Sequence, residues 1–456
     1  MFNDIAQIRA FRRGVVHTTL NPEKPGAVRI HLIPPRWNPL RDSSYTLILN
    51  GYWLLPVGYS WAVLLSNFID EVNKFDGRTM KKKDMANAAE AAVERTRRVY
   101  IFTSKDRLRS DLNEILSVLF DIARGRTPKT TIEALSLRQY TRNMTAPHRM
   151  DLMVSAMTDS DGCWNCNLKC RHCYAAGQQE AHCSELTTEE WKSIIDNCRK
   201  SGIPQLTFTG GEPTMRSDLV ELIAYAKWHV TRLNTNGILL SAELCKELKA
   251  ASLDAAQVTL YSSDSKIHDM LVGCEGAWEQ SVAGLKNALA AGLNVSVNTP
   301  ICRDNSDYVS TLAFLHELGV QYVSCSGLIE TGKASTSAQC TVKEIDDILR
   351  QAAAFCAAND MEISFTSPGR ASTDVLRELG ITVPMCGACL SNMAIAPDGS
   401  VMPCQSWLSS DAVLGNMLTD KWKNIWNSKF CRSIRTMPED DSMFCPLRRS
   451  EGRVSK

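Results

Sequence analysis

The chain has 456 residues, 44% of them hydrophobic and 22% charged, with a formal net charge of +1. That length supports two or three domains around a large core, and the balanced charge argues against a broad nucleic-acid or membrane-surface footprint. No run of some 18 apolar residues is present to cross a bilayer and no basic–apolar–small signal pattern opens the chain, so a cytoplasmic protein is expected.

Residues 1–145 carry no chemical motif. Ala27–Ile33 and Tyr45–Leu49 read as short strands, and 57–74, 83–99 and 105–124 as helices, the last ending at Gly125. Lys81, Lys82 and Lys83 suit a solvated helix face. The pattern predicts an N-terminal α+β domain in which the two strands offer a sheet edge. A generic cap or dimerisation module is the other reading of the same pattern. The polar, basic stretch from Thr127 to Pro147 suits a linker.

From Met150 the pattern changes. Apolar runs at Met150–Met157, 204–209, 229–234, 256–261, 293–299, 321–326 and 361–365 read as strands, with helical patterns between them. Thr187 and Glu190 form a capping-box signal, and Gly202, Gly292 and Gly319 stand where helices should end. Repeated βα units predict a parallel sheet with right-handed crossovers. About six units fall short of the eight that close a TIM barrel, so an open partial (β/α)6 barrel is expected over 146–365. Cys198, Cys245 and Cys356 sit in helical patterns as ordinary buried thiols.

After the first strand comes Cys166-Asn-Leu-Lys-Cys170-Arg-His-Cys173-Tyr174. Three thiolates at Cys-x3-Cys-x2-Cys spacing can share one [4Fe–4S] cluster and leave its fourth iron open to a small molecule. A zinc site is the alternative, although structural zinc sites usually show paired Cys-x2-Cys arms. The 17 cysteines, an odd number bunched near 163–173 and 386–445, fit cluster ligation better than a disulfide framework.

The nine-residue segment resembles the signature loop of the radical S-adenosylmethionine (radical SAM) enzymes, including the aromatic Tyr174. The resemblance implies that the open iron binds the amino and carboxylate groups of S-adenosylmethionine. One electron then cleaves the sulfonium to a 5′-deoxyadenosyl radical that abstracts hydrogen from substrate. Gly210-Gly211-Glu212-Pro213, after the second strand, resembles the family's Gly-Gly-Glu motif. Its glycines permit close backbone approach, and Glu212 is expected to accept hydrogen bonds from the cofactor's ammonium. Asn234-Thr235-Asn236-Gly237 matches the Thr-Asn-Gly turn that shapes the cofactor cleft. In the fourth strand Thr259 and Tyr261 stand where relatives often carry Ser and Asp. Thr259 is expected at the cofactor's carboxylate or ribose, Asn298 at its ribose, and Tyr261 facing substrate as the candidate catalytic residue.

Residues 366–456 resemble the family's auxiliary-cluster extension, through Cys386-Gly-Ala-Cys389, the turn at Asp398-Gly399 and Gly399-x4-Cys404. Leu414-Gly415-Asn416 and Ile425-Trp426-Asn427-Ser428 also match. The full extension, called SPASM, continues into a longer cysteine-rich run, whereas here only Cys431 and Cys445 follow. The truncated twitch form with one auxiliary [4Fe–4S] cluster is therefore expected, on Cys386, Cys389, Cys404 and Cys445, with Cys431 in reserve. A structural zinc site on the same thiols is the alternative.

Extended members with such clusters commonly modify ribosomally made peptides, forming thioether or carbon–carbon crosslinks or oxidising side chains. The N-terminal domain weakly resembles the winged-helix module with which many of them add a leader peptide as an extra strand. A precursor-peptide substrate and a flavodoxin- or ferredoxin-type electron donor are the expected partners. An enzyme acting on a small molecule or tetrapyrrole precursor is the second reading, and a non-catalytic iron–sulfur sensor the third.

Overall fold

The computed structural model describes residues 14–20, 28–35, 44–50, 53–75, 80–123, 144–159, 161–336, 338–438 and 443–448, with positions 126, 128 and 135 besides. Ala27 and most of the expected linker at 127–147 lie outside the described residues. The chain forms two compact units: residues 1–148 with 198–205 and 226–230, and the remainder.

In the first unit β1 (Val16–Leu20), β2 (Val28–Ile33), β3 (Tyr45–Leu49) and β4 (Trp53–Val57) form an antiparallel sheet in chain order. Helices α1 (Tyr59–Asn73), α2 (Lys82–Arg97) and α3 (Lys105–Ala123) follow. Ile30, Leu47, Phe68, Ile69, Val93 and Leu112 build one core from both layers. Two strands were not legible in the sequence. β1 is five residues long, and β4 contains Pro56, which is tolerated because β4 is an edge strand. Their presence corrects the expected edge: β2 and β3 are paired on both sides, and the sheet's edges belong to β1 and β4.

The second unit holds a nine-stranded sheet in the order β11-β10-β9-β8-β7-β6-β5-β12-β13. Its βα succession is β5 (Arg149–Ser155), α4 (Thr188–Ser201), β6 (Gln205–Gly210), α5 (Leu219–Tyr225), β7 (Val230–Thr235), α6 (Ala242–Ala250) and β8 (Ala255–Thr259). Then come α7 (Ser265–Val272), α8 (Ala277–Ala290), β9 (Val295–Ile301), α9 (Tyr308–Glu317), β10 (Tyr322–Gly327), α10 (Val342–Ala358) and β11 (Glu362–Phe365). The expected helix signals are present. Thr187 N–H donates to Glu190 Oε2 at 2.9 Å, and Gly202, Gly292 and Gly319 have φ of 81°, 70° and 85°.

β9 runs two residues beyond its expected end, through Pro300. That proline is harmless because pairing with β8 ends at Thr259–Asn298 and no ladder bond is lost. Asn298 consequently sits within its strand, not at the end.

Past α11 (Thr373–Glu378), β12 (Asn392–Ile395) and β13 (Val401–Met402) form the hairpin turned at Asp398-Gly399, where Gly399 has φ of 89°. β12 pairs parallel to β5, with Asn392 opposite Arg149. The hairpin thus extends the barrel sheet and brings the C-terminal cysteines toward the loop that leaves β5. Helices α12 (Trp422–Trp426) and α13 (Lys429–Arg435) complete the region. Among the described residues no helix is long and apolar enough to cross a membrane.

Candidate active site and cluster-binding residues

The loop after β5 is built by its own polar side chains. The Asp159 carboxylate accepts from the N–H groups of Asp161 and Cys163, and the Trp164 indole donates to Leu168 O at 2.8 Å across the loop. Two glycine turns hold it from outside. Lys169 and Arg171 donate backbone N–H groups to Val272 O and Leu271 O, and Lys333 N–H donates to Cys173 O. Gly332, at φ 59°, sits so close that an added Cβ would lie 2.4 Å from Tyr174 O. Gly273 meets Lys169 O in the same way at 2.8 Å. Lys333 also stands over the Trp164 ring, 4.7 Å from its centroid.

Cys166, Cys170 and Cys173 line a cavity of 620 Å³. Burial pushes the Cys166 thiol up to about 12 and raises Cys170 and Cys173 as well, with the neighbouring thiols adding to the shift at Cys166 and Cys170. Such thiols shed their protons when a metal binds, so cluster assembly would carry that cost. The Tyr261 phenol bonds the Cys170 sulfur, and its ring stands 4.7 Å from His172 at 67°. Tyr261 is thus packed against a cysteine of the loop, and Asn305 Nδ2 donates to its carbonyl at 2.7 Å.

Gly210 and Gly211 leave β6 against the backbone of β5. Gly210 has φ of 138°, an added Cβ would fall 2.2 Å from Ser155 O, and Gly211 N–H donates to that same oxygen at 2.8 Å. Only glycine permits this cradle. Glu212 is buried, at 1% exposure. Its Oε1 accepts from Thr214 N–H, the Thr214 hydroxyl and the Thr235 hydroxyl, and its Oε2 from Asn236 N–H at 2.8 Å. Burial raises its pKa while these four bonds oppose the rise. The carboxylate therefore fastens the Gly-Gly-Glu turn to the Thr-Asn-Gly turn. Asn236 Nδ2 in turn donates to Asn167 Oδ1 at 2.7 Å, tying both turns to the cysteine loop.

Tyr174 lines the cavity with its phenol hydrogen-bonded to Thr209, and burial raises its pKa. Thr259 and Asn298 line the cavity opposite each other on β8 and β9. Asn298 Oδ1 accepts from the Ser324 hydroxyl at 2.9 Å, which faces Gln257 Nε2 at 3.3 Å.

Cys386, Cys404 and Cys445 line the same cavity. Cys389, in a left-handed conformation at φ 56°, lies behind them and bonds Cys431. That contact pushes Cys389 far up and pulls Cys431 down, and Arg435 Nη1 donates to the Cys431 sulfur at 3.3 Å. Zinc would need sulfurs about 3.8 Å apart, given its ~2.3 Å bonds. Among the described residues no three of these sulfurs lie within 4.8 Å of one another; Glu180, Cys183 and Asp398 form the one such group of possible ligands. Soft donors at wider spacing, beside a glycine cradle, fit a [4Fe–4S] cluster and its bound cofactor.

Sequence reasoning missed Gly273, Gly332 and Lys333, which clamp the loop, and Arg149 and Arg232, which line the cavity. A signal for Arg232 existed: a charge inside the strand Val-Thr-Arg-Leu-Asn-Thr, where a sheet covered on both faces expects apolar residues.

A family model described as the radical SAM superfamily matches residues 165–326, and one described as an iron–sulfur cluster-binding domain, SPASM, matches 386–446. The AdoMet-dependent heme synthase of Oleidesulfovibrio alaskensis is 32% identical over 297 residues, 61% of this chain and 76% of that protein. The Fe-coproporphyrin III synthase of Methanosarcina barkeri is 36% identical over 179 residues, 38% of this chain and 45% of that protein. Streptococcus suis SuiB bound to its precursor peptide SuiA shares the fold with a TM-score of 0.59 at 15% identity, covering 86% of this chain and 88% of SuiB. The anSMEcpe structure with bound AdoMet aligns at a TM-score of 0.52 and 16% identity, over 66% of this chain and 84% of that one.

Proposed function

This chain belongs to the radical SAM superfamily and carries a SPASM iron–sulfur cluster-binding domain, and on that premise we propose that it modifies a ribosomally made precursor peptide. The observation that carries this reading is the N-terminal unit, an antiparallel sheet followed by three helices. The heme-synthase relatives match 60–61% of the chain, whereas the likeness to peptide-bound SuiB covers 86%, a share larger than residues 149–456 could supply. A leader peptide would add at a sheet edge, now β1 or β4, where backbone bonds give affinity and side-chain pockets give selectivity. Leu135 already donates its N–H to Leu54 O of β4, a bond of that kind. Residues 1–145 are thus assigned to substrate capture, 146–365 to radical generation and 366–456 to the auxiliary cluster.

When bound, S-adenosylmethionine and the cluster supply the hydrogen-abstracting radical. Cys166, Cys170 and Cys173 would hold that cluster and the Gly210–Gly211 cradle would take the cofactor. Glu212 keeps the cradle in shape, and Tyr174, Thr259 and Asn298 form the surrounding wall. The Tyr261 phenol supports the Cys170 sulfur, a positioning role in place of direct substrate contact. Cys386, Cys404 and Cys445 on the cavity wall, with Cys389, would hold the auxiliary cluster, which would supply a site for substrate or for an electron. An external electron donor of flavodoxin or ferredoxin type completes the cycle.

The 32% identity to an AdoMet-dependent heme synthase favours a second reading, action on a tetrapyrrole precursor. The test is anaerobic incubation of the reconstituted enzyme with S-adenosylmethionine and either the peptide encoded beside its gene or an iron coproporphyrin, followed by mass spectrometry. A mass change in the peptide alone supports the first reading, and one in the porphyrin alone overturns it.

A further inference from the structure

The cavity of this barrel is charged below the cofactor cradle. Arg232 lies two residues before Asn234 on β7 and lines the cavity, as does Arg149 at the start of β5. Arg149 is committed: its guanidinium pairs with Asp151, Nε to Oδ1 at 2.8 Å, and Asp151 is fully buried. Arg232 makes no hydrogen bond or ion pair among the described residues. Among the described residues Glu212 is the one carboxylate on the cavity wall, and four bonds from Thr214, Thr235 and Asn236 occupy it. Burial and the nearby Arg149 pull the Arg232 pKa down, and the attraction of Asp151 and Asp254 opposes them without reversing the shift. An unpaired buried charge is costly, and a guanidinium offers a planar fork that matches a carboxylate. Gln257, Asn298 and Ser324 supply uncharged hydrogen-bonding groups on the strands beyond.

We propose that Arg232 is the anchor of a carboxylate-binding subsite in the barrel cavity, which receives a carboxylate of the substrate and sets the depth to which the substrate enters. On the peptide reading this carboxylate is an Asp or Glu side chain near the modified residue. The inference rests on the cavity taking substrate, and not on whether that substrate is a peptide. The cofactor's own carboxylate is the other source of the same chemistry, and the experiment separates the two.

The probe is radiolabelled glutarate, measured by equilibrium dialysis against the iron-reconstituted full chain with S-adenosylmethionine present. Saturable binding at one site is expected, without competition from glutaramide, which has the same shape and no charge. Arg232→Met should weaken glutarate at least tenfold, and Arg232→Lys, which keeps the charge and loses the fork, by an intermediate factor. Binding of S-adenosylmethionine should stay within twofold in both variants. Iron content and circular dichroism check folding, and should the Met variant lose iron, the Lys variant and the glutaramide comparison carry the test. Equal competition by glutaramide, undiminished glutarate binding in the variants, or absence of saturable binding to the wild-type chain would each overturn the subsite. Loss of cofactor affinity by the same factor would assign Arg232 to S-adenosylmethionine instead. A mass change in the precursor peptide that persists undiminished in the Arg232→Met variant sinks the subsite and leaves the peptide reading standing.

Discussion

Two single-residue contrasts test how the cysteine loop and the auxiliary thiols are held. Gly332 and Gly292 share nearly the same left-handed backbone, at φ 59° and 70°, but a Cβ on Gly292 meets nothing within 4 Å. Alanine should therefore cost about 1–2 kcal/mol of backbone strain at either position. At Gly332 it must also displace the carbonyls of Tyr174, Ala176 and Cys173. Gly332→Ala should lose iron from the first cluster and most formation of 5′-deoxyadenosine, while Gly292→Ala keeps both; matching iron contents in the two variants would disprove the clamp. Among the C-terminal thiols, Cys445 shares the cavity wall with Cys386 and Cys404, whereas Cys431 is the bonded partner of Cys389. Two clusters hold about eight irons. Cys445→Ala should drop this toward about four and abolish product with some cofactor cleavage retained, while Cys431→Ala retains most of the iron. The reverse pattern would make Cys431 the fourth ligand.

The elements of the first unit gather histidines, and these predict how that unit responds to acid. His17 on β1 and His31 on β2 have ring centroids 4.4 Å apart, His17 is 6.0 Å from Trp228, and the Arg199 guanidinium stacks on Trp228 at 4.0 Å. His229 follows that tryptophan. Burial, aided by the neighbouring positive groups, lowers all three histidines, His229 to about 4. A base whose folded pKa is depressed stays neutral while the unfolded chain takes the proton. Stability is thus intact above about pH 6.5 and lost progressively below it, at about 1.4 kcal/mol per ring one pH unit lower. The melting temperature of this unit should fall by several degrees between pH 7.5 and 5.5. His31→Leu should make that fall smaller, and an unchanged pH dependence in the variant would show that these rings are not responsible.

At the scale of the molecule, the proposed function puts radical generation and substrate capture on separate lengths of chain. Every residue proposed to hold the first cluster or the cofactor lies between Cys166 and Asn298. Replacing Cys166, Cys170 and Cys173 together by Ala should abolish 5′-deoxyadenosine and leave about half the iron, and persistent cofactor cleavage would refute the assignment. Removing residues 1–140 should weaken binding of the precursor peptide at least tenfold, because the leader no longer tethers substrate at high effective concentration. Uncoupled cofactor cleavage should hardly change, provided iron content and circular dichroism match the full chain. Equal peptide affinity with and without those residues would favour a small-molecule substrate.

The sequence by itself determined the cluster loop, the glycine cradle, the succession of βα units and the turn at Asp398-Gly399. Each is a local property: ligand spacing, positive-φ glycines and hydrophobic period are written in consecutive residues. Tertiary structure decided the rest. Only the order of strands in the sheet shows that β12 docks parallel on β5 and brings two sets of thiols to one cavity. Only the crossing of separate loops shows that Glu212 serves its own turns and that Gly332 leans on Tyr174. Which face of β7 turns inward was not legible either. Arg232 and Asn234 alternate with Leu233 and mark one face of β7 as polar, but only the curl of the barrel shows that this face is its lumen.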